Sequence, residues 1–550
     1  ADSPFKPKSD EVSPTEDKPS GGGKKDEKKD EKKDEKKEPE VSVKVDSDGI
    51  KGRIAVLPID PSNYGNLSAV GSNLYYTRRG SKDEKTQFLM YDFGELKETS
   101  LGEIGGYEIS ADNKKILVGK DDSYYILDLP KAKPDLKDKL DLSGMEVTLD
   151  RRAEWKQIFN ECWRQMKYFF YASNMHGVDW DAVKMKYAPL VPFVNHRADL
   201  TYIIGEMVGE LSAGHTYVGG GEYPRPKRIQ TGLLGAELVR DPASGYYKIT
   251  RILKGYNWEK GTRSPLTEIG VNAGEGDYII AVNGEPVNTM PNIYESLVNM
   301  ADKQVKLTLN SKPAKEGARE VTVIPVGDEA NLYYQNWVEG NIAKVDRATN
   351  GKVGYIHLPD MGVGGLNEFV RRFYPQLRKK ALIVDVRGNG GGFVSPLVIE
   401  RLRREMVMID FARNTATFTD PNDMLWGPKV CLIDEFSASD GDIFPYRFRK
   451  SGLGKLIGKR TWGGVVGIRG TLPLLDGGFM NKPEFSRYDE KGNWIMEGVG
   501  VEPDIFVDND PAKEYAGVDE QLQKAIDEIL DDLKTQEKTA PPIPKFPDKR

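Results

Sequence analysis

Val430-Cys431-Leu432-Ile433, then Glu435-Phe436-Ser437-Ala438-Ser439-Asp440-Gly441-Asp442, then residues 443–450, form the stretch whose reading decides the fold. The first four residues are apolar with strand character, and the last eight suit a helix. Small residues fill the turn between them. Such a turn, between a buried strand and a helix, holds a serine hydroxyl in the open. It also points free backbone N–H groups at whatever that hydroxyl attacks. Ser439 is therefore a candidate nucleophile. The competing reading is an ordinary helix N-cap, a position that Ser and Asp favour.

Working outward, residues 328–537 alternate strands with helices, which predicts an α/β layer. Val353-Gly354-Tyr355-Ile356-His357-Leu358 reads as a strand, residues 366–377 as a helix, and Ala381-Leu382-Ile383-Val384-Asp385-Val386-Arg387 as a buried strand. That strand runs into Gly388-Asn389-Gly390-Gly391-Gly392. Backbone approaches a substrate closely only where side chains are absent. The glycine run and the Asp440 N–H are thus candidate donors to an oxyanion. A phosphate loop is disfavoured, because no Gly-Lys-Ser/Thr ending follows. A Gly-rich hairpin is expected around Trp462-Gly463-Gly464, and a last helix over 518–533 places Leu522, Ala525, Ile526, Ile529 and Leu533 on one face.

A serine needs a base within hydrogen-bond reach. The chain has four histidines. His357 falls in a predicted strand, and His176 and His196 in connections of a helical segment. That segment, residues 146–222, shows Trp155, Ile158, Phe159, Cys162, Trp163, Met166, Phe169 and Phe170 at helical spacing. Further helices are expected over 180–187 and 199–211, the last stopped by Gly214. His215 then sits on a turn among small residues, Ser212-Ala213-Gly214-His215-Thr216, and is the candidate base.

Between these regions, residues 231–327 hold Gly276-Asp277-Tyr278-Ile279-Ile280-Ala281-Val282-Asn283-Gly284-Glu285-Pro286-Val287, a strand, an Asn-Gly turn and a second strand. A helix near 293–300 and a strand over 305–309 follow. With Thr231-Gly232-Leu233-Leu234-Gly235 at its start, this segment resembles a PDZ domain. The resemblance implies capture of a peptide C-terminus by strand addition. A PDZ fold serving only as a spacer is the alternative.

Residues 41–130 carry short apolar runs at Ile54-Ala55-Val56-Leu57, Leu74-Tyr75-Tyr76, Phe88-Leu89-Met90-Tyr91, Lys115-Ile116-Leu117-Val118 and Tyr124-Tyr125-Ile126-Leu127. With turns at Asp112-Asn113 and Asp121-Asp122, this is the rhythm of β-propeller blades, here the end of a larger ring. Residues 1–40, with their Lys-Lys-Asp-Glu repeat, read as a disordered charged linker, and 538–550 as a Pro-rich tail.

At 550 residues the chain is too long for one core. A net charge of −6 gives no reason to expect a nucleic-acid partner, and no apolar run approaches the ~20 residues of a membrane span. The only two cysteines, Cys162 and Cys431, lie far apart in apolar segments and read as reduced core residues, not as a disulfide or metal cluster. Neither a cofactor nor a metal is expected. No signal peptide is read, although the chain opens on Ala1 and not on Met.

Taken together, Asp385-Val386-Arg387-Gly388-Asn389-Gly390-Gly391-Gly392, Ser437-Ala438-Ser439-Asp440-Gly441-Asp442, Gly458-Lys459-Arg460-Thr461-Trp462-Gly463-Gly464 and Gly500-Val501-Glu502-Pro503-Asp504, behind a PDZ-like segment, resemble the tail-specific (C-terminal processing) peptidase superfamily. Within it they are most similar to the tricorn protease family. The resemblance covers about residues 45–535. It implies a multidomain α+β protein: a partial β-propeller, a small helical domain, a PDZ domain and an α/β serine peptidase core of the ClpP/crotonase-like kind. The C-terminal processing branch uses a Ser-Lys dyad. Gly464 stands where its lysine would be, while Lys455 and Lys459 precede the motif, so a histidine base is expected.

Carried over by that resemblance, Ser439 is the nucleophile, His215 the general base, and Glu497 the carboxylate of the histidine network. Gly392 and Asp440 are the oxyanion donors. Asp410 is the acidic residue that selects a basic P1 side chain, with Gly391 also in the substrate-binding loop. The family has a serine before the histidine, whereas this chain has Gly214. The implied protein is a cytoplasmic homo-oligomer, a hexamer by resemblance, cutting oligopeptides or unfolded segments. It would be periplasmic if a signal peptide has been removed. The alternative is an inactive PDZ/propeller scaffold that only binds peptides.

Overall fold

The computed structural model describes residues 47–550, so the expected charged linker at 1–40 lies outside the described residues. The chain divides into two compact units, one ending at Thr148 and one beginning at Leu149.

The first unit holds two antiparallel meanders. Tyr64–Val70, Asn73–Arg78, Gln87–Asp92 and Lys97–Glu103 form a four-stranded sheet, and Gly106–Ile109, Lys115–Lys120 and Ser123–Asp128 a three-stranded one. Tyr75, Phe88, Leu101, Tyr107, Ile116 and Val118 from both sheets share one core. The turns are those the residues demand: Asn113, Asp121 and Asp122 all lie at positive φ. No closed propeller ring is seen among the described residues. The strand expected at Ile54-Ala55-Val56-Leu57 is irregular, with Ile54 81% and Val56 85% exposed. It pairs with none of the described strands, and an apolar run without a partner forms no ladder.

The second unit starts with helix Arg151–Phe169, followed by Trp180–Tyr187 and Arg197–Gly209. The third helix begins and ends two residues earlier than the expected 199–211: His196 caps its start, and Ser212 turns to positive φ beyond Glu210. This helical layer is tied to the C-terminal part of the chain. Strand Val218–Gly219 pairs with Phe479–Met480, and Leu474 and Met480 lie in the helical core. The buried Arg197 Nε also donates to Asp476 Oδ2 at 2.5 Å.

A six-stranded sheet follows, with Ala236–Arg240 at its edge beside Tyr247–Ile252, then Tyr278–Val282, Val305–Asn310 and Arg319–Val323. Glu285–Pro286 completes the Asn283-Gly284 hairpin. The helix expected near 293–300 is only a 3-10 turn, Ile293–Leu297, capped by the Asn292 side chain on the Tyr294 N–H.

Helix Ala330–Ala348 leads into a parallel five-stranded sheet, ordered Val353–His357, Ala381–Asp385, Lys429–Ile433, Gly454–Gly458, Ile505–Phe506. Alternate residues of each strand face opposite layers. Ile356, Leu382, Val384, Cys431 and Ile433 pack with helices Val363–Phe373, Ser395–Leu402 and Asp440–Lys450. Tyr355, Ala381, Ile383, Val430 and Leu432 pack on Ala330–Ala348 and on helix Glu520–Gln536 through Leu522, Ala525, Ile526, Ile529 and Leu533. Parallel strands covered on both faces read as the continuous apolar runs seen here. The hairpin expected around Trp462-Gly463-Gly464 is absent: residues 461–466 are irregular, because their polar contacts go to Asp442 and Glu497 instead of to a partner strand.

Candidate active site

Ser439 lies where the Lys429–Ile433 strand has turned into helix Asp440–Lys450. It occupies the N-cap position but its side chain makes no capping bond. Its backbone is at φ 59°, ψ −119°, a conformation L residues avoid at a cost of about 1–3 kcal/mol. The cap reading therefore loses its physical reason, and a strained serine with an uncommitted hydroxyl remains. The helix is anchored from the other side. Asp440 Oδ1 accepts from Ser395 Oγ at 2.6 Å, and Oδ2 from the Ser395 N–H at 3.0 Å.

The glycine run is folded against this turn by Asn389, which is fully buried. Its Nδ2 donates to the Leu358 carbonyl at 2.8 Å, its Oδ1 accepts from the Gly391 N–H at 2.9 Å, and its own carbonyl accepts from the Ala438 N–H at 2.9 Å. Gly391, at φ +89°, approaches so closely that a Cβ there would stand 2.6 Å from the Ser439 Cβ. Met361 donates to the Gly391 carbonyl and Phe393 donates to the Met361 carbonyl, each at 2.7 Å. The Gly391 N–H is thus used internally. Among the described residues, the N–H groups of Gly392 and Asp440 have no hydrogen-bond partner. One of these amides belongs to the residue after Ser439, the other to the residue after Gly391, which packs on Ser439; uncommitted amides of this kind are what an oxyanion draws on.

Beneath the loop, Arg387 is clamped between Asp385 and Asp519. Its Nη2 donates to Asp385 Oδ2 at 2.7 Å and to Asp519 Oδ2 at 2.9 Å. The Tyr355 hydroxyl adds a bond to Asp385 at 2.7 Å. Arg-Gly in this motif is a buried charge network that fixes where the glycine run begins.

The four histidines separate cleanly. His176 meets the Tyr171 hydroxyl at 2.6 Å and the Leu211 carbonyl at 2.8 Å. His196 caps helix Arg197–Gly209 by accepting from the Ala198 N–H. His357 lies between the Tyr334 hydroxyl and the Arg387 carbonyl, each at 3.0 Å. His215, at φ 58°, has a buried Nδ1 without a partner and stands edge-on to Trp462 with ring centroids 6.2 Å apart. The backbone N–H of Trp462 in turn donates to the Ser437 carbonyl at 3.0 Å, two residues before Ser439. Burial holds the His215 pKa below its ordinary 6.5, Glu497 works to raise it, and Arg487 lowers it further.

Glu497 joins the two halves of the site. Its Oε1 accepts from the Gly214 N–H at 2.8 Å, and its Oε2 from the Val465 and Val466 N–H groups at 2.7 and 2.9 Å. Glu497 therefore acts on His215 through its charge and through the loop that carries the histidine, with no direct bond to the ring among those present. Gly214 also has a steric reason. A Cβ there would lie 2.9 Å from the Gly464 Cα, so a serine before the histidine is not accommodated without a shift. At Gly464 itself, a Cβ would lie 2.3 Å from the Trp462 ring. No lysine fits that place. Lys459 is paired with Glu435 at 2.6 Å, which raises its pKa, and Lys455 likewise with Glu528 at 2.8 Å. Neither is a neutral base.

Asp410 stands apart. It is exposed at the end of strand Met408–Asp410, paired with Phe418–Asp420. Three contributors were not singled out by the sequence reading: Asn389, Arg487 and Asp442. The last is fully buried, and its Oδ1 accepts the Gly463 N–H at 2.7 Å. Asn389 lay inside a quoted motif, where an amide between glycines signals a side chain that bonds its own turn. Asp442 also lay inside a quoted motif, but nothing local marks it as the partner of the distant Gly463, and Arg487 carried no signal.

Residues 151–209 match the tricorn protease C1 domain, 232–328 the tricorn protease PDZ domain, and 352–507 peptidase family S41. The chain belongs to the tricorn protease family. A tricorn protease homolog of Saccharolobus solfataricus is 35% identical over 88% of this chain and 46% of its own length. Tricorn protease homolog 1 of Streptomyces coelicolor is 33% identical over 92% of this chain and 49% of its own. The crystal structure of the tricorn protease superposes with a TM-score of 0.80 at 32% identity, over 87% of this chain and 47% of that one. The chain thus spans about half the length of these tricorn relatives. Its serine peptidase domain is of the S41 type.

Proposed function

We propose that this chain cleaves peptide bonds in unfolded segments or oligopeptides through an acyl-enzyme on Ser439. The observation that carries the reading is the pair of free amides, Gly392 and Asp440, bordering a strained serine whose hydroxyl caps nothing. His215 takes the Ser439 proton as Oγ bonds to the substrate carbonyl carbon. The carbonyl oxygen becomes an oxyanion held by the two N–H groups. His215 then gives its proton to the leaving amine as the C–N bond breaks, and water, deprotonated by the same imidazole, releases the acyl group. Burial keeps His215 neutral and so ready to accept a proton near pH 7. Glu497 positions the His215 loop and stabilises the imidazolium by its charge.

The scaffold alternative rested on Gly214, and that residue keeps its N–H bond to Glu497 without a side chain. Asp410 is assigned to basic P1 selection. Its exposure limits the pairing energy, since ion pairs in water are worth about 0–1 kcal/mol. A preference of only a few-fold follows unless the bound substrate covers it. We further assign a homo-oligomeric, cytoplasmic protein. The free, buried Cys162 and Cys431 and the likeness to the tricorn relatives support that assignment.

The test is hydrolysis of fluorogenic peptides ending in Arg or in Phe. Arg peptides are expected to be cut faster, Ser439→Ala to lose on the order of 10⁵-fold or more in turnover, and Asp410→Ala to equalise the two substrates. Turnover that survives Ser439→Ala would misplace the site.

A further inference from the structure

Residues 231–236 open the PDZ domain ahead of its edge strand, Ala236–Arg240. Gly235 lies in the left-handed region at φ +70°. Its N–H donates to Glu329 Oε1 at 2.6 Å, across 94 residues of chain, and the next amide, Ala236 N–H, favours the charged form of the same carboxylate. Glu329 is the residue directly ahead of helix Ala330–Ala348. Three positions further on, Leu332 is 1% exposed. A Cβ built on Gly235 would lie 3.3 Å from its Cδ1, and one on Gly255 2.6 Å from its Cδ2. Tyr294 of the 3-10 turn and Tyr333 of the helix both lie within electrostatic reach of the same carboxylate.

These contacts have the chemistry of a bound chain end: a carboxylate on the Gly235 amide with the Ala236 amide next in line, and an apolar side chain seated on the glycine. Burial works to raise the Glu329 pKa, and the two amides oppose that rise. A carboxylate is not taken out of water at such a place unless donors replace the water.

We propose that residues 234–236 form a carboxylate receptor whose resting ligand is the chain's own 329–332 turn, and that a peptide C-terminus ending in an apolar residue binds by displacing it. The proposal rests on the PDZ fold and not on the chemistry assigned to Ser439. A receptor filled in this way binds an outside peptide with its affinity reduced by the fraction of time it stands open. Removing the internal ligand removes that reduction.

The experiment uses the full chain carrying Ser439→Ala, so that the probe is not cut. The probe is a dye-labelled hexapeptide ending in Leu, made as the free acid and as the C-terminal amide, and read by fluorescence anisotropy. Glu329→Ala is expected to tighten binding of the acid at least ten-fold and to leave the amide weak. Hydrogen exchange over residues 231–240 should speed up in that variant and slow again with the acid peptide. Should Glu329→Ala not fold, Glu329→Gln, which keeps one weaker acceptor, is expected to give a smaller gain of the same kind. Equal affinity of the acid peptide for the parent and the folded variant would overturn the proposal. So would no binding by either, or equal binding of acid and amide.

Discussion

The molecule carries two glycine turns that offer backbone N–H groups to an anion, and they are in opposite states. In the PDZ domain, the Gly235 N–H is taken by Glu329 Oε1. In the peptidase domain, the N–H groups of Gly392 and Asp440 are left open beside Ser439. Both use positive φ at glycine to turn the chain, at Gly235 and at Gly391 and Gly392. An amide cradle is thus a general device, and its use depends on what the rest of the chain aims at it. A loop meant to hold a permanent charge is stable when filled. A loop meant for a charge that exists only during reaction has to stay empty in the resting protein.

The strongest way to break this comparison is to fill the open cradle. Gly391→Ala places a methyl 2.6 Å from the Ser439 Cβ and 3.1 Å from the Asp440 nitrogen. Turnover should fall by about 10²–10³-fold, the scale of losing an oxyanion donor, with secondary structure retained by circular dichroism. Unchanged turnover would show that this approach has no part in the chemistry.

A sharper and smaller test moves charge near His215. The neutral imidazole is the base, so kcat/KM rises with pH through its pKa, and burial puts that acidic limb below 6.5. Glu497 raises this pKa, so Glu497→Gln should shift the limb to lower pH. Arg487 lowers it, so Arg487→Gln should shift the limb to higher pH. Shifts of the same sign would show that the limb belongs to another group.

The smallest effect concerns strain. Ser439 at φ 59° is held against its preference. Ser439→Gly should stabilise the domain by about 1 kcal/mol, the relief of strain less the added freedom of the unfolded chain. Denaturant unfolding measures it. A loss of stability would mean that the hydroxyl holds the fold together and is not reserved for substrate.

Local patterns carried much of this structure. The apolar run at 430–433 could only be a covered strand, and it pairs on both sides in parallel. His215 stood out among four histidines because it alone sat on a small-residue turn, and it alone keeps a buried ring nitrogen without a partner. The helical spacing from Trp155 to Met166 became helix Arg151–Phe169. What was not legible depends on contacts between distant residues. Ile54 and Val56 look like a strand but are exposed and pair with no described strand. Trp462-Gly463-Gly464 look like a hairpin but are bound by Asp442 and backed by Gly214. Glu329 looks like an ordinary acid ahead of a helix, and only the fold brings it to Gly235. Asp410 drew attention by resemblance alone, and its exposure gives it the weakest physical support of the site residues.

The central claim is that Ser439 is an activated nucleophile next to an open amide pair. Incubating the full chain with a serine-directed fluorophosphonate and mapping the adduct by mass spectrometry tests it most directly. The account predicts one adduct per chain, on Ser439, absent in Ser439→Ala and much slower to form in His215→Ala. An adduct on another residue, or none on a folded chain that binds peptides, would contradict it.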